Sequence, residues 1–143
     1  MKFEKVFNPS DASVKELRDL LVTFNLPRFE TDKIEEFAIF IKDDEKQLIG
    51  GISGEIFGQW LNIDYLVIDE NYRNQQLGIK LLTQAEDLAR EKNCSHVFLT
   101  TFGFQGKDYY PKFGYEEIFV KKNYPITGTE HFFTKNLCND KHK

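Results

Sequence analysis

The stretch from Trp60 to Phe102 constrains the fold more than any other. "WLNIDYLVI" (Trp60–Ile68) is rich in aromatic and β-branched residues and more apolar in its second half, as a central strand would be. A polar loop follows. Leu77, Leu81, Leu82, Ala85, Leu88 and Ala89 then form one apolar stripe at helical spacing, closed by the polar Glu91, Lys92 and Asn93. "HVFLTTF" (His96–Phe102) returns to a buried type of strand. Strand, helix and strand in that order predict a right-handed crossover that leaves the two strands parallel in one sheet.

The flanking segments are antiparallel in character. "FAIFIKDDEKQLIGGISGEIFG" (37–58) reads as two strands around a polar turn at Asp43–Lys46, paired as a hairpin. Gly50, Gly51 and Gly54 within the second strand mark a bulge or a close backbone approach. Downstream, "GKDYYPKFGYEEIFVKK" reads as a short helix ending at Gly114 and a strand at Glu116–Lys122; Glu130–Leu137 is the last strand. Upstream, Ser10 or Asp11 caps a helix bearing Val14, Leu17, Leu20, Leu21 and Phe24, which Pro27 ends. A second, weaker helix is expected over Thr31–Glu36. The fold class is therefore α+β: a mixed, mostly antiparallel sheet flanked by helices.

Length and composition bound the function. A chain of 143 residues without repeats or a Pro/Gly-rich linker predicts a single domain, 1–143, with 138–143 as a loose tail. Fourteen Phe and six Tyr in 41% hydrophobic residues are ample for a core and exclude the disordered class. A net charge of -4 argues against general nucleic-acid binding. No apolar run reaches membrane-spanning length. Cys94 and Cys138 match no metal spacing, and "MKFEKVFNPSD" has no apolar signal-like region, so no metal and a cytoplasmic location are expected.

The loop before the helix, Arg73-Asn74-Gln75-Gln76-Leu77-Gly78, has two readings. It is a polar connection whose Gly78 permits tight packing, or it is an anion site. A helix N-terminus offers unpaired N–H groups and partial positive charge. Arg73 adds a bidentate fork, the three amide side chains add donors, and a glycine lets a phosphate near the backbone. A P-loop and a dinucleotide fingerprint are excluded, because neither Gly-Lys-Ser/Thr nor Gly-x-Gly-x-x-Gly is present.

At these residues the chain resembles the GNAT family (GCN5-related N-acetyltransferases). The family joins a central strand to a loop of type Arg/Gln-x-x-Gly-x-Gly/Ala and then a helix. Gly78 matches the last glycine; Gln76 stands at the first and is expected to follow the same path with a negative φ. "Tyr109-Tyr110-Pro111-Lys112-Phe113-Gly114-Tyr115" matches the family's Phe-Tyr-x-Lys-x-Gly-Phe/Tyr pattern. The Thr-Phe-x-Phe-Gln run at 101–105 is similar to a subgroup of small acetyltransferases of unassigned substrate. The order of elements agrees over residues 1–137.

The resemblance implies a GNAT fold, in which two central parallel strands splay apart around acetyl-CoA. The backbone of Leu66, Val67 and Ile68 would bond the pantetheine amides, a form of β-augmentation. Arg73, Asn74, Gln75, Gln76, Leu77, Gly78 and Ile79 would hold the pyrophosphate. Tyr110 falls where the family places a phenol near the sulfur and is the expected general acid; otherwise it is a packing aromatic like Tyr109. Asn62 occupies the position of the family's basic Glu and cannot take a proton. Asp64, two residues on and on the same face, is the expected base, directly or through a water, or else positions a cationic amine. Glu55 is the second candidate, with His96 and His131 behind it. Cys94 is not expected to act as a nucleophile. Trp60, Tyr65, Phe102 and Phe104 are candidates for lining an acceptor pocket. The activity implied is direct acetyl transfer from acetyl-CoA to a primary amine of a small molecule or peptide, with a homodimer through the C-terminal strands. The alternative is a non-catalytic CoA-binding sensor of the same fold.

Overall fold

The computed structural model describes residues 1–139, so the last four residues of the expected tail lie outside the described residues. The chain divides into two compact units, Met1–Lys33 and the residues from Ile34 onward.

The first unit holds helix α1 (Asp11–Asn25) and a 3₁₀ turn at Leu26–Arg28. The Ser10 side chain accepts a bond from the Ser13 N–H at 3.1 Å, which satisfies one of the donors a helix start leaves unpaired. Pro27 lies in the 3₁₀ turn: lacking an N–H, it ends α1 at Asn25 as expected.

The second unit is a six-stranded sheet in the order β1-β2-β3-β4-β6-β5. The strands are β1 (Ile34–Lys42), β2 (Leu48–Phe57), β3 (Trp60–Ile68), β4 (His96–Phe102), β5 (Glu116–Lys122) and β6 (Thr129–Asn136). Helix α2 (Leu77–Glu91) connects β3 to β4, and those two strands pair in parallel while their neighbours pair antiparallel. One expectation is corrected. Ile34, Glu35 and Glu36 form the start of β1 and not the end of a helix over Thr31–Glu36, because they pair with Phe57, Ile56 and Glu55 of β2. Ladder bonds to a formed neighbour outweigh a weak helical pattern in so short a segment.

Alternation sorts the sheet into two faces. Ile52 and Ile56 of β2, Leu61 and Ile63 of β3, Val97 and Leu99 of β4, and Phe133 of β6 turn inward against Leu81, Leu82, Ala85 and Ala89 of α2. Each large aliphatic side chain buried here contributes about 1.5–3 kcal/mol. Leu81, Leu82, Ala85 and Ala89 of the expected stripe are thus buried and Leu88 packs partly against them, whereas Leu77 stays outside the cluster; this face locks the crossover helix across both parallel strands.

Candidate active site

The parallel pair is joined at only one end. β3 and β4 share the register pairs Trp60–His96, Leu61–Val97 and Asn62–Phe98, and then separate, although β3 runs on to Ile68 and β4 to Phe102. The divergence begins where β3 carries a bulge. Ser53 pairs with Tyr65 and Gly54 with Ile63, so Asp64 is the extra residue. A bulge bends its strand and sharpens the local twist. Gly54 makes it possible: a side chain there would overlap the Asn62 carbonyl oxygen. Among the described residues, the segment from Ile63 to Ile68 is laddered to β2 and not to β4, which leaves the backbone of Leu66, Val67 and Ile68 beside an open gap.

Past β3 the chain makes a 3₁₀ turn at Glu70–Tyr72, which the Asp69 carboxylate caps by accepting from the Asn71 N–H at 2.9 Å. Arg73 folds back so that its Nε donates to the Ile68 carbonyl at 3.1 Å, tying the loop to the end of the strand. Asn74 and Gln76 both have left-handed backbones, at φ 68° and 61°. For Gln76 this corrects the expected negative φ: the residue sits in the conformation that a glycine would adopt without strain. The reason is local. Leu77 opens α2, and the chain must reverse sharply to enter it from an extended Arg73.

Gln76 provides no side-chain cap for α2. The first helical bond here is donated by the Lys80 N–H to the Gln76 carbonyl at 3.2 Å, so the N–H groups of Leu77, Gly78 and Ile79 precede it. A left-handed residue followed by a helical one also turns successive N–H groups into a concavity that suits an anion. The space beside the Gly78 α-carbon is taken up in part by Tyr109, whose Oη would lie 3.2 Å from an added Cβ. The two alternatives for this glycine therefore coincide: it permits tight packing against Tyr109 at the same helix end that offers free donors.

Tyr110 opens a 3₁₀ turn at Tyr110–Phe113, a shorter element than the expected helix, closed by Gly114 at φ 91°. It is 9% exposed and packs edge-on against Tyr109 and Tyr115 and obliquely on Phe133. Gly106 lies beneath its ring, and the Gly106 N–H donates to Thr101 Oγ1 at 3.0 Å, so the tyrosine is held beside the end of β4. Burial, and secondarily the neighbouring Tyr109, pushes its phenol up to about 12. Tyr110 therefore keeps its proton at neutral pH and is a donor.

Asp64 is exposed on the bulge. Leu61 and Ile63 point inward, whereas Asn62 belongs to the outer face with its register partner Phe98. Tyr110 belongs to the inner cluster, on the face of the sheet opposite Asn62. Glu55 faces outward across from Asn62 and Glu36.

The remaining candidates separate. His96 and Trp60 meet at the opposite end of the parallel pair, rings 4.5 Å apart, and help line a cavity of about 440 Å³ with Glu116, Thr134 and Asn136, away from the gap. Trp60 is thereby removed from the acceptor side. His131 is buried between Glu117 Oε2, 2.6 Å from Nδ1, and Thr129 Oγ1, 2.8 Å from Nε2. Cys94 is buried, and burial pushes its thiol up, which disfavours the thiolate. Among the described residues no group of three or more His, Cys, Asp or Glu is placed to hold a metal, and no helix is long and apolar enough to cross a membrane.

Sequence reasoning missed Glu86, 6% exposed on α2. It accepts from Tyr115 Oη at 2.7 Å and from Lys135 Nζ at 3.0 Å. This network ties α2 to β6 and to the segment carrying Tyr110. A glutamate interrupting the apolar stripe between Ala85 and Ala89 was the one available signal.

A profile of the acetyltransferase (GNAT) family matches residues 7–115. The chain is 34% identical over 105 residues to an acetyltransferase of Agrobacterium fabrum (strain C58), covering 73% of this chain and 76% of that one. It is 32% identical over 112 residues to blasticidin-S acetyltransferase of Streptomyces morookaense, covering 78% and 82%. The crystal structure of an acetyltransferase from Bacillus cereus ATCC 14579 superposes with a TM-score of 0.80 at 30% identity, over 93% of this chain and 97% of that one.

Proposed function

The chain belongs to the acetyltransferase (GNAT) family, and we propose that it moves the acetyl group of acetyl-CoA directly to a primary amine of a small molecule or peptide. The observation that carries this reading is the one-ended pairing of β3 and β4; a buried phenol at Tyr110 and an exposed carboxylate on the bulge at Asp64 support it. Pantetheine lies in the gap and pairs with the backbone of Leu66, Val67 and Ile68. The pyrophosphate sits on Arg73 and the loop Asn74-Gln75-Gln76, above the N–H groups of Leu77, Gly78 and Ile79. The dipole of α2 adds to the attraction.

In the transfer step, the nitrogen of the neutral amine bonds to the thioester carbonyl carbon, and Asp64 accepts the proton that the nitrogen sheds as this bond forms. The carbon–sulfur bond breaks and its electron pair goes to sulfur. Tyr110 donates to that sulfur. A phenol held at about 12 is a weaker acid than an alkyl thiol near ~8.5, so this donation acts chiefly as a hydrogen bond to the developing thiolate. The products are an N-acetyl amide and the CoA thiolate, with the amine's proton left on Asp64 to pass to solvent or to the departing sulfur. A homodimer through the C-terminal strands belongs to the same reading; Ile118 and Phe119, exposed on the edge strand β5, support it. Two free cysteines are in keeping with a reducing, cytoplasmic setting.

The deciding experiment is a thermal shift with acetyl-CoA followed by a screen of amines for thiol release. At a hundred times its Kd, a ligand adds about 2.7 kcal/mol of stability. The absence of any shift at millimolar acetyl-CoA would overturn the proposed site. A shift without thiol release from any amine would favour the non-catalytic alternative.

A further inference from the structure

The end of β4 carries an arrangement of rings that the transfer chemistry does not require. Val97, Leu99 and Thr101 turn inward, so Phe102 faces outward, on the side of the gap opposite Tyr110. Phe102 stacks on Phe104 with ring centroids 5.5 Å apart and planes 6° from parallel. On Tyr124 it stacks at 5.9 Å and 13°. These three rings form an offset, near-parallel row. The other ring pairs are farther from parallel: Trp60 and His96 at 32°, Phe98 and Phe132 at 49°, Phe119 and Phe132 at 75°, Tyr109 and Tyr110 at 83°.

The two ends of the row differ. Lys121 Nζ lies over the Tyr124 ring, 4.3 Å from its centroid, and is paired with Glu130 at 3.7 Å. That end already holds a cation. Phe104 at the other end is 84% exposed, a large apolar ring turned to solvent two residues past the end of β4 that diverges from β3. An exposed ring held parallel to the ring behind it presents a flat surface of fixed orientation, and little ordering entropy is lost when a second flat group settles on it.

We propose that Phe104, backed by Phe102 and Tyr124, is a stacking platform for the acceptor, and that the acceptor amine is attached to a flat aromatic or heteroaromatic ring. The inference rests on the transfer function proposed above, because it places the amine over the gap while its ring lies on Phe104. It selects within the class of primary amines and is independent of the groups that hold CoA.

The test compares benzylamine with its saturated counterpart, cyclohexylmethylamine, with rates corrected to the free-amine concentration. The two match closely in size and differ in stacking. Stacking of aromatic pairs beyond area burial predicts that kcat/KM favours benzylamine by about 2- to 13-fold. Phe104→Leu should abolish the preference, Phe104→Tyr should retain it, and the acetyl-CoA thermal shift should be the same in both variants. Equal kcat/KM for the two amines, or a preference that survives Phe104→Leu, overturns the platform. If neither amine is acetylated, their binding to the CoA-loaded protein by ligand-observed NMR reads the platform directly. A ring preference lost in Phe104→Leu then upholds the platform while showing that these two amines are not acetylated on it, the transfer function being decided by the wider amine screen; equal binding overturns the platform.

Discussion

Replacing Gln76 by glycine should stabilise the protein, although it deletes a side chain from the proposed phosphate loop. Gln76 stands at φ 61° and ψ 23° and its side chain makes no capping bond to α2. A left-handed residue other than glycine costs about 1–2 kcal/mol. Glycine removes that cost, but its freer unfolded chain returns about 0.4–1 kcal/mol. Glycine is also a better residue at a helix start than an uncapping glutamine. The net expectation is about 0.5–1 kcal/mol of added stability, a rise in Tm of roughly 2–3 °C for a chain of this length. Gln76→Ala is the control: it removes the same amide yet keeps the strained backbone, so the difference between the two variants isolates the φ contribution. Urea denaturation of all three proteins, at one pH and in the absence of CoA, measures it. Gln76→Gly equal to or less stable than Gln76→Ala would refute the assignment of strain to this residue. Titration with acetyl-CoA then separates the second role: weaker binding in both variants by a similar factor assigns the amide to the phosphate.

Arg73→Ala should weaken CoA binding by roughly tenfold or more, the loss of one charge-assisted contact of about 1.5–3 kcal/mol, and isothermal titration with the folded variant checks this; unchanged affinity would mean the pyrophosphate lies elsewhere. Tyr110→Phe should lower kcat by at least about a hundredfold with little change in CoA affinity, and wild-type turnover would remove it from the mechanism. The same variant tests the raised phenol. Neutral in both states below pH 10, the unfolded tyrosine ionises between pH 10 and about 12 while the folded one keeps its proton, so stability falls by about 2–3 kcal/mol across that window and Tyr110→Phe should flatten the fall. Gly54→Ala should unfold or severely destabilise the sheet, because its Cβ overlaps backbone and not a movable side chain; a denaturation midpoint within experimental error of wild type would contradict the bulge geometry. Glu86→Ala should cost about 3–5 kcal/mol, as expected for breaking a buried ionic network, with a thermal melt as the measure and a loss under 1 kcal/mol as the refuting result.

How much of this was legible in the sequence depends on how local each cause is. β4 and β5 begin and end at the residues that period and punctuation mark, and α2 shows its buried stripe directly, because one face of each element meets one core. Ile34–Glu36 could not be read, since a neighbouring strand twenty residues away decides their conformation. The three glycines of β2 announced a close approach, yet only the ladder shows that Gly54 faces the bulge and that Asp64 is the surplus residue. The handedness of Gln76 is likewise a property of the path between two fixed elements, invisible in an amide side chain. Trp60 illustrates the opposite limit: its aromatic character alone could not say which surface it would line, and its place at the first register pair of β3 puts it beside His96 at the stitched end of the parallel pair. Glu86 lies on the buried face of α2 among the apolar residues, and the partners that let it do so come from positions 115 and 135.

The three register pairs that join β3 to β4 have a mechanical consequence. The sheet is effectively two three-stranded leaves, β1-β2-β3 and β4-β6-β5, stitched along a short length of one seam. Rigidity across the unstitched part falls to α2, the crossover helix packed on both central strands. An occupant of the gap that bonds to the backbone supplies the missing rungs. Amide protons of Ile63–Ile68 and of Leu99–Phe102 should therefore exchange faster than those of β2 in the unliganded enzyme and converge toward them once the co-substrate is bound. The molecule that donates the acetyl group would then also finish the sheet, and each release of CoA would reopen it.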